Sequence, residues 1–145
     1  MSFPAKLIAT SPAATGLALL LLCLGSGGMM AFGHGLGKLR SMSADQFPDP
    51  LGIGHTPSYI GAVTSEFFCG LLIAVGLFTR IACLPIIFTM LVAAAVVHRA
   101  DPFFMGGGAA KEPAVIYLVM FIAVLLAGPG KFSLDHLIFG SKKSA

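Results

Sequence analysis

Glu66 is the only ionisable residue in an apolar run of about twenty residues, Tyr59 to Phe78, and about twenty apolar residues are what a helix needs to cross a bilayer. A carboxylate at that depth is expensive unless it is paired or protonated, so an acid kept there points to use. At about 1.5 Å per residue it lies on the order of 10 Å below the loop side of its helix. The groups that could share its chemistry are His34 and Lys38 at the end of the first apolar run, His98 at the end of the third, and Glu112 at the start of the fourth. If Glu66 is paired, Lys38 or a histidine is the expected partner. If the first helix continues to Lys38, Met30, His34 and Lys38 share one of its faces.

These residue types suit three chemistries. His34, His98 and Glu66 are ligand types for zinc or iron, but no close His-x-x-x-His pair supports a metal. Two histidines on separate helices could hold haem, yet both lie near one interface. The third chemistry ranks first: a quinone or small polar substrate held by histidine and carboxylate, exchanging protons as it is reduced or oxidised. The cofactor therefore stays open, with quinone ahead of haem and metal.

The elements that must position these groups follow from composition. The chain has 145 residues, of which 57% are hydrophobic and 10% charged, where a soluble domain carries about 25% charged residues. That excludes a water-soluble globule. Apolar runs predict an all-α integral membrane domain spanning 1–145, with antiparallel helices at about 13–37, 59–78, 81–98 and 113–128. The first run stays apolar through Phe32 and is read as a helix rather than a cleaved signal. Ser11-Pro12 and Glu112-Pro113 are helix starts. Gly128-Pro129-Gly130 ends the fourth helix, and Ser133 caps a short interfacial helix from Leu134 to Phe139.

Small residues place Glu66 inside the bundle. Ala62, Gly70 and Ala74 lie at four-residue steps from it, and Gly61, Ser65 and Cys69 line the next row. Small residues at that spacing let helix backbones approach. The first connection, about Arg40 to Ser58, is too rich in Pro and Gly for a helix and too apolar for a free linker; it is expected along the interface. Arg80, Lys131 and Asp135 belong to the opposite interface as anchors, with Arg80 either anchoring there or pairing with Asp135. Lys6, Arg80, Lys131, Lys142 and Lys143 fall on the side of the termini, against Lys38, Arg40, Arg99 and Lys111 on the other. This bias predicts cytoplasmic termini. The net charge of +3 sits at helix ends and is no nucleic-acid signature. Cys23, Cys69 and Cys83 form no Cys-x-x-Cys pair and read as small buried hydrophobes.

Several motifs carry a family resemblance. They are Gly33-His34-Gly35-Leu36-Gly37-Lys38, Glu66-Phe67-Phe68-Cys69-Gly70, Gly76-Leu77-Phe78-Thr79-Arg80, His98, and Gly128-Pro129-Gly130-Lys131-Phe132-Ser133-Leu134-Asp135. Together, over about Ala13 to Ile138, they resemble the DoxX family of small bacterial membrane proteins. Lys131 stands where arginine is usual in that pattern, and Phe132 where tyrosine is common. The resemblance implies a four-helix bundle in a bacterial inner membrane. It also implies a link to respiratory or redox-stress oxidoreductase complexes, in which the chain is a membrane subunit rather than an enzyme by itself. Membrane or peripheral redox proteins are then the expected partners, with a homo-oligomer possible. The short loops leave no room for a soluble redox domain. Two other functions compete: a small oligomeric proton-coupled transporter or channel gated by Glu66, and a non-catalytic scaffold in which Glu66 is a structural pair.

Overall fold

The computed structural model describes residues 11–140. Lys6, Lys142 and Lys143, three of the basic residues behind the orientation argument, lie outside them. Among the described residues the chain is all-α, with α1 (Pro12–Ser41), α2 (His55–Val75), α3 (Thr79–Val97), α4 (Glu112–Ala127) and the short α5 (Leu134–Phe139). The first three, of 30, 21 and 19 residues, are long and apolar enough to cross a membrane. α4 is shorter, at 16 residues.

Helix ends follow local chemistry. The Ser11 hydroxyl accepts the Ala14 N–H at 3.1 Å and Pro12 opens α1. Ser133 does the same for α5, accepting from His136 at 3.1 Å. α2 begins at His55, four residues before Tyr59, because Pro57 falls in the first turn, where its missing N–H loses no helical bond. Glu66 therefore lies about 16 Å along α2 rather than about 10 Å. α2 ends at Val75, short of Phe78, because Gly76 turns left-handed at φ 71°.

α1 packs against α2 and α3 against α4, while α4 also touches α1 and α3 touches α2. The core is Met30, Ile73, Ile86, Phe121 and Val124, all fully buried, with Cys23 and Cys83 among them. Burial pairs with an apolar exterior: Leu21, Ile81, Phe88, Val119 and Leu126 all lie exposed. An outer surface of this kind fits hydrocarbon rather than water.

The α1–α2 seam is made by glycine. A Cβ on Gly27 would fall 2.6 Å from the Ala74 nitrogen and the Gly70 oxygen, and one on Gly35 would fall 2.5 Å from the Phe67 nitrogen. Backbone meets backbone there, and only glycine permits it. Gly70 and Ala74 thus face α1, in the row expected to carry the small residues.

Three helices depart from regular α geometry in the same half of the bundle. Residues Met29–Gly35 in α1, Thr64–Cys69 in α2 and Ala93–Val97 in α3 are π-helical. Each π turn adds a residue to the repeat and moves the following side chains around the axis; such turns concentrate at functional sites. Pro85 inside α3 removes one further ladder hydrogen bond.

Candidate functional site

Glu66 is 4% exposed, and its carboxylate accepts a hydrogen bond from the Lys38 ammonium of α1. Ser65, its neighbour on the π turn, is also buried and faces α3, where its hydroxyl pairs with that of Thr89 at 2.8 Å. Successive side chains on a helix point roughly 100° apart, so two neighbours can face two different helices. On this π segment Glu66 bonds Lys38 of α1 and Ser65 bonds Thr89 of α3.

Above these groups lies a cavity of about 400 Å3. Pockets for small organic molecules run roughly 300–1,000 Å3. Lys38, Ser58, Ser65, Glu66, Thr89 and His98 supply its polar side chains, and Phe47, Pro50, Ile53, Phe88 and Val97 supply much of its apolar wall. No α4 residue lines it. The cavity sits between α2 and α3, beneath the α1–α2 connection, and its outer edge at Gly61 and Phe88 is exposed to the lipid side.

The connecting segment is a stapled cover. The Asp49 carboxylate accepts from the Ile53 N–H at 3.0 Å, the Gly54 N–H at 2.7 Å and the Ser58 hydroxyl at 2.8 Å. His55 Nδ1 donates to the Phe47 carbonyl at 2.6 Å, and Phe47 packs edge-on against Tyr59. Desolvation opposes the Asp49 charge, but the bonds from Gly54, Ser58, Ile53 and Gly52 outweigh it and hold the carboxyl below its usual range. The sign follows: the staple is fully in place above the ordinary aspartate range and is lost as pH falls through the depressed value. Backbone amide exchange over residues 49–58 should therefore accelerate at acid pH, with Asp49→Asn showing the fast rate already at neutral pH. Equal, pH-independent exchange in both proteins would refute the staple.

The other sequence candidates separate. His98 reaches the cavity at the end of α3, its Nδ1 donating to Asp101 at 2.8 Å. His34 does not reach it. Lying within the π segment of α1, it is exposed on the α4 side, edge-on to Tyr117 at 5.3 Å. His34 still lies close enough to Glu66 and Lys38 to feel both charges, but its ring turns to Tyr117 rather than into the cavity. Glu112 is also elsewhere: its carboxylate accepts the Met105 N–H at 3.0 Å and closes the loop that enters α4. The local bond to its own loop wins over a reach across the bundle. The weak metal set His34, His98 and Glu66 is dispersed accordingly, and among the described residues no three His, Cys, Asp or Glu side chains come together to hold a metal ion.

At the opposite end, Arg80 does not pair with Asp135. The Asp135 carboxylate accepts the N–H groups of Phe78 and Thr79 at 2.7 and 2.9 Å, capping α3 from a distance. Arg80 instead donates to the Leu126 carbonyl at 3.2 Å. A carboxylate at a helix N-terminus is favoured by the helix dipole and by the unpaired N–H groups there. Gly76 completes the joint: its carbonyl accepts the Asp135 N–H at 2.8 Å, and a Cβ on it would strike that of Ser133 at 2.5 Å. The two motifs Gly76–Arg80 and Gly128–Asp135 are thus one contact. Lys131 lies over the Phe132 ring at 4.9 Å, its stem close upon Gly16.

Residue types alone missed Asp49, Ser65, Thr89 and the apolar cover. Asp49 in the setting Asp-Pro-Leu-Gly was a turn signal. Thr89, a hydroxyl inside an apolar helix, was the corresponding signal on α3.

A family model, DoxX, matches residues 16–99. The match takes in Lys38, Glu66, Thr89 and His98 and ends before the Gly128–Asp135 block. No curated protein and no solved structure gives a significant match. With more than half of its length matched, α1 to α3 and the cavity included, the chain belongs to the DoxX family of membrane proteins.

Proposed function

We propose that the chain is a membrane subunit of an oxidoreductase complex whose cavity takes a quinone head group. The observation that carries the reading is the cavity itself: about 400 Å3, apolar on most sides, with Lys38, Glu66 and His98 as its ionisable groups. The Lys38 ammonium is a hydrogen-bond donor suited to a quinone carbonyl, and the Glu66 carboxylate an acceptor suited to a quinol hydroxyl. Reduction of the ring takes two electrons and two protons. The protons can pass through this pair, and a partner protein must supply the electrons, since the short loops hold no redox domain. The stapled cover closes the aqueous end, so a lipid-borne ligand enters from the bilayer along the α2–α3 seam. In this reading all four long helices cross a bacterial inner membrane in antiparallel order, α5 lies on its surface and both termini are cytoplasmic.

Binding decides it. Purified protein in lipid nanodiscs should bind a short-tailed quinone analogue, and Glu66→Gln should weaken binding about tenfold, as expected when a buried charged hydrogen-bond partner is lost. Wild-type affinity in the variant would end the quinone reading. No binding by either protein, together with a Lys38–Glu66 pair that matters only to stability, would favour the scaffold.

A further inference from the structure

A second cleft lies at the other end of the bundle. It measures about 620 Å3 and is bounded by the start of α3, the end of α4 and α5. Arg80 is its central charge. The guanidinium packs over Gly128, where a Cβ would meet Nη2 at 3.3 Å and where φ is 78°. One N–H reaches the Leu126 carbonyl. Among the described residues the guanidinium forms no ion pair and meets no other acceptor.

The acid beside it is already committed. Asp135 lines the same cleft, but its carboxylate accepts the Phe78 and Thr79 N–H groups. Two N–H groups at the start of α3 are thereby taken, and the Arg80 guanidinium is the charged anion-binding group of the cleft. His136 adds an imidazole to the wall. Apolar, exposed side chains complete much of the rim: Phe78 at 51%, Ile81 at 68% and Phe139 at 52%. Phe78 and Phe139 lie with ring centroids 6.0 Å apart and form one apolar edge.

Charge, shape and depth converge. The cleft opens where two apolar helices end, which is head-group level. An Arg fork matches phosphate oxygens in pairs, and apolar surface directly alongside suits acyl chains. The geometry points to a site for an anionic phospholipid, with the phosphate on Arg80 and the acyl chains along Ile81 and Phe139. The site is separate from the Glu66 cavity and does not depend on its ligand.

Native mass spectrometry in mild detergent tests it. Phosphatidylglycerol should be retained at least tenfold better than phosphatidylcholine, and Arg80→Gln, which keeps a donor for Leu126, should remove that preference. Unchanged preference in the variant overturns the site, as does equal retention of the two lipids by the wild type. Should Arg80→Gln fail to fold, the wild type alone decides: phosphatidylglycerol carrying a photoreactive head group should label residues 78–81 or 128–140, and labelling confined elsewhere overturns the assignment. Inorganic phosphate at millimolar concentration should not raise thermal stability; a rise equal to that given by the lipid would assign the site to free phosphate and overturn the lipid.

Discussion

Lys38→Met is expected to destabilise the folded protein by about 3 kcal/mol, the low end for a buried pair that loses one partner, since the lysine side chain is 23% exposed. The cost arises from Glu66, left 5% exposed at its side chain with no other ion-pair partner among the described residues. Glu66→Leu should cost less, because Lys38 can extend toward the interface and recover water. The double variant Lys38→Met/Glu66→Leu should regain most of the loss, because two apolar side chains of similar volume replace an ion pair at little net penalty. A double-mutant cycle on unfolding in mixed detergent micelles measures the coupling. Additive single effects would show that the contact carries no energy. The double variant also separates structure from function: folded, but without affinity for the quinone analogue, it would tie the pair to binding.

Gly35→Ala is the second large effect, at about 3 kcal/mol, the upper end for overpacking a close interface. The added methyl would lie 2.5 Å from the Phe67 nitrogen and 2.6 Å from its Cα. Backbone cannot swing aside as a side chain can, so α1 and α2 must move away from each other. The gap would open beside Phe67, the chain neighbour of Glu66, and within one turn of Lys38, so the ion pair should loosen as well. Gly33→Ala and Gly37→Ala are the controls. A Cβ on either meets nothing within 4 Å, and both should be neutral or stabilising by up to about 1 kcal/mol through helix propensity. Thermal unfolding of the three variants side by side reads the contrast. Equal effects at positions 33, 35 and 37 would mean that the seam is not backbone-tight.

Much of this architecture was legible in one dimension, because it depends on neighbours in sequence. Apolar runs marked the long helices. Ser11-Pro12, Glu112-Pro113 and Ser133 marked helix starts, since a cap acts within three or four residues. Glu66 was conspicuous because a charge in an apolar run is costly wherever its partner lies. Lys38 was among its expected partners because it ends the neighbouring helix.

Packing settled what neighbours in sequence could not. His34 and Lys38 are four residues apart, yet one touches Tyr117 and the other Glu66. Nothing in residue types says that Met29–Gly35 winds as a π helix. Asp135 caps α3 from more than fifty residues away, which placed its carboxylate beyond any local rule and left Arg80 without an ion pair among the described residues. Asp49 folds the first connection over the cavity through bonds to residues that follow it. The order of residues alone specifies a membrane protein with one buried acid. Which groups surround that acid depends on helix phase and on chain-distant hydrogen bonds, and both are set only when the helices pack.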